Sequence, residues 1–379
     1  MARLSDLLRN VEGVRLVSGQ DSLEIGEVCD DSRRVHPGDL FVAIPGTKQD
    51  GRKFIDDALA KGAAAILTEA KDAAELASEL TGDLASKAAW IIAPSARQAL
   101  GIVAANRFGA ARALTLTAVT GTNGKTTTTY LVEAVLSAAG RKPGVIGTVG
   151  YRFAGRQKPA LLTTPGALEL HSNLAEMRQG GASDVVMEAS SIALEQGRLA
   201  GCLFRVAALT NVTQDHLDYH GTMANYFAAK RILFHDRMVP GSGVSVFFVD
   251  DAQGVAMKQE AAGPTLTLTR QDHGADVVVL ERRLGAEGIR VRLGTPAGAL
   301  EIFSPLVGEF NLANILTTVG IALGHGISTD AIASGIARVR GVPGRLEAVA
   351  NEAGVLCVVD YSHTPDALER ALDVLRPLT

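Results

Sequence analysis

Short apolar runs separated by amphipathic stretches recur along most of the 379-residue chain. Between residues 38 and 94, the runs GDLFVAIPG, AAAILTE and AAWIIAP predict three strands, and GRKFIDDALAKG predicts a helix that ends at Gly62. A helical stretch follows at about 95–108. Strands that alternate with helices usually form a mostly parallel sheet with helices on both faces, so this part predicts a small α/β domain.

A second alternating series begins at ALTLTAVTG and predicts a larger, mostly parallel α/β domain. Helices at about 311–324 and 329–339 lead to the turn-rich GVPGR, and one further strand and helix follow. One strand and one helix cannot bury a core alone. We therefore predict a domain over 1–110, a central domain over 111–340, and the first unit of an incomplete third domain over 341–379. The strands of the second series are expected at 143–151, 183–189, 205–212 and 244–250.

Composition and charge exclude several classes of protein. The net charge is −4 and the two signs are mixed, so no basic segment predicts a nucleic-acid or membrane partner. The chain opens without a signal-like apolar run, and no apolar stretch of about 18 residues predicts membrane insertion. The cysteines, Cys29, Cys202 and Cys357, are isolated and odd in number, which argues against a disulfide framework or a CxxC metal site. We expect a cytosolic protein.

The stretch TLTAVTGTNGKTTTTYL, residues 115–131, places a tight glycine loop between a predicted strand and a predicted helix. It ends like a Walker A loop, with Gly124, Lys125 and Thr126, but Val119 stands where that motif has its first glycine. Backbone N–H groups and the helix dipole at such a turn bind phosphate; Lys125 would contact the β- and γ-phosphates, and Thr126 would bind Mg²⁺. An ordinary glycine-rich turn is the alternative, and the loop alone does not identify a reaction.

A family resemblance rests on seven sequence blocks, which are spread over nearly the whole chain and accompany the phosphate loop. They are DSRRVHPGDLFVAIPGTKQDGRKFI (31–55), TTP (163–165), MEASS (187–191), TNVTQDHLDYHGTMANYFAAK (210–230), GEFNLANI (308–315), GVPGRLE (341–347) and DYSHTPDAL (360–368). In this order they resemble the Mur ligases, the ATP-dependent amide synthetases of peptidoglycan assembly, whose loop reads TGTNGKT without the first Walker glycine. The resemblance is strongest to the branch that adds the third amino acid to UDP-N-acetylmuramoyl-L-alanyl-D-glutamate (UDP-MurNAc-L-Ala-D-Glu).

The resemblance implies a reaction in which ATP phosphorylates a substrate carboxylate, and an amine then attacks the acyl phosphate. Such phosphoryl transfer depends on charge neutralisation, so two Mg²⁺ ions are expected. Glu188 ends an apolar strand at the edge where open α/β sheets bind ligands, and its oxygens suit Mg²⁺. A protonated Lys230 beside two metal ions would be repelled, and the resemblance implies that it is carbamylated. For these residues, solvated loop or surface positions are the alternatives. The implied catalytic residues are Lys125, Glu188, His216 and Lys230, and the implied metal ligands are Thr126, Glu188, His216 and carbamylated Lys230.

The resemblance also implies the binding residues. Asn311 and Asn314 would recognise adenine, Arg345 would contact phosphate, and Asp360 would contact the ribose hydroxyls. One departure is Ile192, where the family usually has a histidine, so an imidazole contact to the substrate is lost. The ATP-binding set is Gly121, Thr122, Asn123, Gly124, Lys125, Thr126, Thr127, Asn311, Asn314, Arg345 and Asp360. The substrate-binding set is Ser32 and Arg33 for the uridine diphosphate, and Thr163, Thr164, Ser190, Gln196 and Arg198 for the muramoyl dipeptide.

The expected partners are UDP-MurNAc-L-Ala-D-Glu, ATP and an amino acid, with the chain acting as a monomer. The acceptor amino acid stays open between meso-diaminopimelate and L-lysine, because no Asp-Asn-Pro-Arg signature is present. We expect the 379 residues to bind the UDP substrate but to ligate slowly, with weakened ATP affinity. A folylpolyglutamate synthase-like ligase and a non-catalytic nucleotide- or UDP-sugar-binding protein are the alternatives. The last strand and helix should expose an apolar face formed by Val355, Leu356, Val358, Val359, Leu372 and Leu375.

Overall fold

The protein divides into two compact units in a computed structural model that describes residues 1–46, 50–70, 87–271, 274–349, 352, 355, 357–363 and 365–376. The first unit is Met1–Ala113, Pro165–Glu176 and Gln196–Cys202. The second unit is Leu114–Thr164, Met177–Glu195 and Leu203–Thr379.

The first unit is built on a five-stranded sheet in the order β2-β7-β6-β5-β4. Strands β4 to β7 are parallel, and β2 is antiparallel at one edge. The predicted strands β5 and β7 are buried along their whole length, as expected for a sheet covered on both faces. The strands are β1 Ala2–Arg3, β2 Arg15–Ser18, β3 Glu24–Ile25, β4 Val28–Cys29, β5 Leu40–Ala43, β6 Ala65–Glu69 and β7 Ala89–Ala93. The helices are α1 Leu4–Leu7, α2 Ile55–Ala60 and α3 Ala96–Phe108, with 3₁₀ turns at Ser32–Arg34, Gly51–Phe54 and Ala110–Arg112.

The second unit contains an eleven-stranded sheet in the order β11-β10-β9-β12-β8-β13-β14-β15-β16-β17-β18. Counted in this sheet order, the seven strands β9, β12, β8, β13, β14, β15 and β16 are parallel. Antiparallel strands extend the sheet at both ends. The mostly parallel α/β class is therefore confirmed. The strands are β8 Thr115–Thr120, β9 Pro143–Gly147, β10 Gly150–Phe153, β11 Arg156–Lys158, β12 Asp184–Glu188, β13 Val206–Leu209, β14 Val244–Phe248, β15 Thr265–Thr269, β16 Val277–Gly285, β17 Gly288–Thr295 and β18 Gly298–Ser304.

Helices α4 (Lys125–Ala138), α10 (Glu309–Gly324) and α11 (Thr329–Ala337) bury apolar side chains in one core with the parallel strands. Leu131 of α4, Ile315 of α10 and Ile332 of α11 are fully buried members of this core. None of the described helices is long and apolar enough to cross a membrane. The remaining helices in chain order are α4 Lys125–Ala138, α5 Ala167–Gln179, α6 Ser191–Glu195, α7 Leu217–His220, α8 Met223–Asp236, α9 Ala252–Gln259, α10 Glu309–Gly324, α11 Thr329–Ala337 and α12 Pro365–Leu375.

The prediction of one strand over 143–151 is wrong. The chain turns at residues 148 and 149, and the two halves pair as the antiparallel strands β9 and β10, with Gly147 opposite Gly150. Gly150 has a φ of +146°, which residues with a side chain rarely adopt, so the chain can reverse direction here within the apolar run. The antiparallel extension formed by β16, β17 and β18 was not among the predicted strands.

The last described segment forms a two-stranded antiparallel sheet of β19 Glu347–Val349 and β20 Cys357–Val359, followed by α12. Val355, Val359 and Leu372 are 60%, 50% and 50% exposed, as predicted for an apolar face with little cover. Val358 and Leu375 are half-buried, and Leu356 lies outside the described residues.

Candidate active site

The glycine loop connects the end of β8 to the first residue of α4, as the sequence predicts. Gly121 and Gly124 have φ values of +139° and +88°, which side-chain-bearing residues rarely adopt. A Cβ at Gly121 would overlap Thr210 Oγ1, and a Cβ at Gly124 would overlap Asn314 Oδ1. The loop therefore requires glycine at both positions for its backbone shape and for its close packing.

The segment that follows β13 holds the loop in place. Asn211 O accepts a hydrogen bond from Thr122 N at 2.9 Å, and Asn211 Oδ1 accepts one from Asn123 N at 3.0 Å. Thr210 Oγ1 donates to Asn123 O at 2.6 Å. Because β8 and β13 are neighbouring parallel strands, their following loops meet at the carboxyl edge of the sheet and fix each other.

Lys125 lies inside the loop that precedes it. Its Nζ donates to Gly121 O and to Thr122 O, both at 2.8 Å. Burial lowers the pKa of Lys125, the nearby Glu188 carboxylate acts in the opposite direction, and Arg345 adds a repelling charge. The loop carbonyls thus hold a cation at the start of α4, next to the backbone N–H groups of the first helical turn.

Glu188 ends β12 beside this cation and is buried. Its Oε1 accepts from Thr148 N at 2.9 Å, and its Oε2 accepts from Thr148 Oγ1 at 3.0 Å and from Thr126 Oγ1 at 3.2 Å. The alternative that Glu188 is a solvated loop residue is wrong. Thr148 lies in the turn between β9 and β10, within the run predicted as one strand, so the apolar pattern does not mark it as a site residue.

The predicted substrate residues of the TTP and MEASS blocks are brought together next to Glu188. Thr164 Oγ1 donates to Glu188 O at 2.7 Å and accepts from Ser190 N at 3.1 Å. Thr163 Oγ1 lies 3.1 Å from Thr148 Oγ1. These hydroxyl groups therefore form one polar cluster around the end of β12.

His216 lies in the same region, at the N-cap of α7 with a left-handed φ of +51°. Its Nε2 is 3.5 Å from Asp215 Oδ2, and its side chain is 40% exposed. Burial lowers the pKa of His216; Asp215 opposes this shift, and the cations Lys125 and Lys230 reinforce it.

Lys230 is almost fully buried on α8, so the alternative that it is a surface lysine is wrong. Its Nζ lies 4.2 Å from the centroid of the Tyr226 ring. In the part of the chain that the structure describes, no hydrogen bond or ion pair reaches this amino group. Burial lowers the pKa of Lys230 well below its ordinary value, and Lys125 lowers it further against the weaker effect of Asp215.

Across the described ranges, no three His, Cys, Asp or Glu side chains form a group that could hold a metal ion. The donors that do meet are the Glu188 carboxylate and the Thr126 hydroxyl, 3.2 Å apart. These are hard oxygen donors, and Mg²⁺ is typically bound through one or two carboxylates together with substrate phosphates and water. The residues present therefore fit Mg²⁺ better than a metal that needs several nitrogen or sulfur ligands.

A cavity of about 330 Å³ opens beside the loop and is lined by Asn123, Gly124, Thr126 and Thr127. Arg345 also lines it, and its Nη2 donates to Thr126 Oγ1 at 3.2 Å. The cavity thus brings the loop together with a residue 219 positions further along the chain.

Asp360 lines the same cavity and is held in a fixed orientation by backbone donors. Its Oδ2 accepts from Leu346 N at 2.7 Å, and its Oδ1 accepts from Ser362 N at 2.8 Å. The segments on either side of the β19–β20 pair therefore both contribute to the cavity that the phosphate loop opens into.

Asn314 lines the cavity, but Asn311 does not. Asn311 Nδ2 donates to Val307 O at 2.8 Å, and Asn311 Oδ1 accepts from Asn314 Nδ2 at 3.0 Å. Asn311 therefore supports Asn314 from behind, and the recognition of adenine by both amides stays a prediction. Arg270, which was not predicted, lines the cavity and pairs with Asp250 at 3.0 Å. The pattern TLTLT indicates strand β15, and Arg270 follows it directly, so this strand would place Arg270 at the carboxyl edge of the sheet.

Four predicted substrate residues lie in the first unit. Ser32 is buried, and its backbone oxygen accepts from Lys61 Nζ at 2.8 Å. The Arg33 side chain is 85% exposed and pairs with Asp31 at 2.7 Å. Arg198 Nη2 donates to Gln196 Oε1 at 2.7 Å.

A parallel sheet, a glycine loop that holds a buried lysine, and a cavity at the carboxyl edge define a nucleotide-binding α/β protein. Comparison with known families identifies the class more closely. Residues 119–322 match the Mur ligase middle domain, and residues 24–108 match the Mur ligase family catalytic domain. The chain belongs to the Mur ligase family and is an ATP-dependent ligase of that family.

Individual relatives agree with this assignment. The chain is 43% identical over 357 residues to the UDP-N-acetylmuramoyl-L-alanyl-D-glutamate–2,6-diaminopimelate ligase of Pseudomonas aeruginosa, covering 94% of this chain and 71% of the relative. A solved structure of a ligase of the same name matches with a TM-score of 0.81 and 30% identity, over 99% of this chain and 74% of that one. The folylpolyglutamate synthase of Mycobacterium tuberculosis shares the fold at 18% identity and a TM-score of 0.63, over 74% of this chain and 69% of that one.

Proposed function

We propose that this chain joins the glutamyl carboxylate of UDP-MurNAc-L-Ala-D-Glu to an amino group of 2,6-diaminopimelate at the expense of ATP. The names of the relatives support the substrates, and they favour diaminopimelate over lysine as the acceptor. The observation that carries the proposal is the position of Thr126 Oγ1, which lies 3.2 Å from Glu188 Oε2 and 3.2 Å from Arg345 Nη2. A hydroxyl group between a carboxylate and a guanidinium at a helix N-terminus suits a metal-bound polyphosphate.

The nucleotide would occupy the cavity beside the loop. The backbone N–H groups of Gly121, Gly124 and Thr127 and the ammonium of Lys125 would bind the phosphates. Thr122 and Asn123, whose N–H groups are bonded to Asn211, would hold the loop in its binding shape. Arg345 would neutralise a further phosphate charge, and Asp360 would accept hydrogen bonds from the ribose hydroxyl groups. Asn314, oriented by Asn311, would contact the adenine edge, and Arg270 would form a further wall of the cavity.

The proposed reaction begins with transfer of the terminal phosphoryl group of ATP to a substrate carboxylate oxygen, which releases ADP. The acceptor amine then attacks the acyl carbon, the carbon–oxygen bond to phosphate breaks, and the amine loses a proton to water. Lys125 and Arg345 would stabilise the charge that shifts between phosphates, because fixed cations lower the barrier of phosphoryl transfer. Thr126, Glu188 and His216 would hold Mg²⁺, which supplies charge neutralisation when bound.

We further propose that Lys230 is carbamylated. A carbamate forms when the lone pair of a neutral amine attacks CO₂, a carbon–oxygen electron pair moves to oxygen, and the nitrogen releases a proton to water. Burial favours the neutral amine at Lys230, and the adjacent cation Lys125 would favour the anionic product. The new carboxylate would complete the ligand set for the second Mg²⁺.

The substrate residues are assigned on the same basis. Ser32 and Arg33 would bind the uridine diphosphate end, and Gln196 and Arg198 the dipeptide. Thr163, Thr164 and Ser190 would bind the dipeptide close to Glu188. We also propose that the chain acts as a monomer and has the domain boundaries predicted from the sequence. We propose a cytoplasmic location because both ATP and the UDP-linked precursor are nucleotides.

The experiment separates activation of the carboxylate from use of the acceptor. The protein is incubated with ATP, Mg²⁺ and UDP-MurNAc-L-Ala-D-Glu in the presence of hydroxylamine, which traps an acyl phosphate as a hydroxamate. Parallel reactions contain diaminopimelate or L-lysine, and phosphate release is measured. We expect a hydroxamate that requires both ATP and the UDP substrate, and diaminopimelate should accelerate phosphate release more than lysine. If no hydroxamate and no substrate-dependent phosphate release are found, the proposed reaction is wrong.

A further inference from the structure

Tyr226 lies at the centre of the candidate active site, although none of the roles assigned above belongs to it. It is buried on α8, one helical turn before Lys230. Its hydroxyl group lies 3.1 Å from Thr122 Oγ1 of the phosphate loop, and its ring centroid lies 4.2 Å from Lys230 Nζ. The His216 ring contacts it edge-on at a centroid distance of 6.2 Å. One side chain thus contacts the phosphate loop, the buried lysine and a candidate metal ligand.

Counting protons gives the direction of the hydroxyl bond. Thr122 Oγ1 donates its one proton to Thr213 O at 3.1 Å and accepts from Thr213 N at 2.9 Å. A hydroxyl group has one proton and two acceptor sites, so the remaining acceptor site faces Tyr226. The assignment that satisfies all three contacts makes the Tyr226 hydroxyl the donor, and all three bonding positions of Thr122 Oγ1 are then used. Removing the phenolic hydroxyl would leave a buried acceptor of the phosphate loop unpaired.

The ring face restricts the lysine in a different way. The face of an aromatic ring is electron-rich, so it attracts an N–H group and repels an anion. A carbamylated lysine keeps one N–H on its nitrogen and gains a carboxylate. With Tyr226 beside Nζ, the N–H would face the ring and the carboxylate would point to the opposite side. The ring would thereby select one orientation of the modified side chain.

We propose that Tyr226 is a positioning residue that sets the phosphate loop and Lys230 relative to each other. Its hydroxyl group fixes the loop through Thr122, and its ring orients the modified amine. The ring-dependent part rests on the proposed carbamate, whereas the hydroxyl-dependent part rests on the nucleotide site alone. The two parts are therefore tested by different substitutions and different measurements.

Tyr226→Phe keeps the ring and removes the hydroxyl group, and Tyr226→Leu removes both. The matched control is Tyr130→Phe, which removes a tyrosine hydroxyl from another helix of the same unit, at a ring that carries the Arg152 guanidinium at 3.8 Å. Carbamate on the full chain is measured by ¹³C NMR after incubation with ¹³C-bicarbonate, with Lys230→Ala identifying the signal. ATP binding is measured by calorimetry, and circular dichroism checks the fold of each variant.

In Tyr226→Phe we expect a carbamate signal close to that of the wild type and ATP binding weakened about two- to tenfold, the effect of one lost hydrogen bond. In Tyr226→Leu the carbamate signal should fall at least about fivefold, with ATP binding also weakened. Tyr130→Phe should change neither quantity.

Unchanged ATP binding in Tyr226→Phe would refute the role of the hydroxyl group, and this holds even if Tyr226→Leu does not fold. A wild-type signal in a folded Tyr226→Leu would refute the role of the ring. If the wild type itself shows no signal assigned to Lys230, the carbamate of the proposed function is wrong, and the ring-dependent part is refuted with it.

Discussion

His325 makes the stability of the second unit depend on pH. It follows α10 directly, and its Nε2 lies 2.7 Å from Thr117 Oγ1 inside the sheet. Burial lowers the pKa of His325 from 6.5 to about 4, the cations Arg141 and Arg205 act in the same direction, and Asp184 opposes them. The folded protein therefore holds this imidazole in its neutral form.

The sign of the effect follows from the protons bound in each state. Between pH 6.5 and pH 4 the unfolded chain binds a proton at His325 that the folded chain does not, so stability falls as the pH falls through this window. With these two pKa values, the loss between pH 7 and pH 5 is about 2 kcal/mol, and it approaches about 3 kcal/mol at still lower pH. Near neutral pH the contribution is close to zero.

The perturbation is His325→Gln, which keeps a polar partner for Thr117 Oγ1 and does not titrate. Other groups also titrate in this range, so the informative quantity is the difference in pH dependence between variant and wild type. His235→Gln, at a histidine whose side chain is 59% exposed, serves as the control. The difference in unfolding free energy between pH 7 and pH 5 should shrink by about 2 kcal/mol in His325→Gln and by much less in the control.

The choice of assay follows from the division into two units. Trp90 is the single tryptophan of the chain and lies in the first unit, so its fluorescence would report on the wrong unit. Amide hydrogen exchange of the peptide that covers Thr115–Thr120 reports on the sheet beside His325. If the pH dependence of exchange is the same in His325→Gln and in the wild type, the argument from burial is wrong.

Three predictions concern the active site. Lys125→Ala should lower turnover at least about 100-fold through loss of a fixed cation, while calorimetry shows unchanged binding of the UDP substrate. The control Lys142→Ala, at an exposed lysine, should have no effect on either quantity. Near-normal turnover in Lys125→Ala would remove the loop from the mechanism. Thr148→Val removes one of the hydroxyl donors to Glu188. The Mg²⁺ concentration needed for half-maximal activity should therefore rise about two- to tenfold. An unchanged Mg²⁺ titration would contradict this role of Thr148. Lys230→Ala should be nearly inactive and should regain part of its activity with acetate. Bicarbonate should raise the activity of the wild type but not that of the variant. If Lys230→Ala is active without acetate, the carbamate is not needed.

Much of the fold could be predicted because its signals are local. The apolar runs that became β5, β6, β7 and β8 are short and end at turn residues, so their period and length identify them without tertiary information. The hairpin of β9 and β10 was missed because one apolar run crosses the turn. Only the pairing of Gly147 with Gly150 divides it into two strands.

The residues that support the site were harder to predict than the residues at its centre. Lys125 and Thr126 belong to one loop, and Glu188 ends a strand that the apolar pattern marks. Thr148 and Arg270 lie at other strand ends, and nothing in their local sequence distinguishes them from ordinary turn residues. Their roles depend on the order of strands in the sheet, which brings β9 next to β12 and β15 next to β14.

The sequence by itself determined the glycine loop, because Gly121 and Gly124 must adopt left-handed backbone angles and no longer-range information is needed to place them between a strand and a helix. Val119 shows what the tertiary structure decided. It is a buried residue of β8, paired with Glu188 on one side and Ala208 on the other, so the loop begins only after Thr120. That register brings the Glu188 carboxylate to the loop. The segment after β13 then continues towards α8, which carries the buried Lys230. Contacts between residues about 60 to 220 positions apart depend on strand order and register, which are set by packing of the whole sheet rather than by any local pattern.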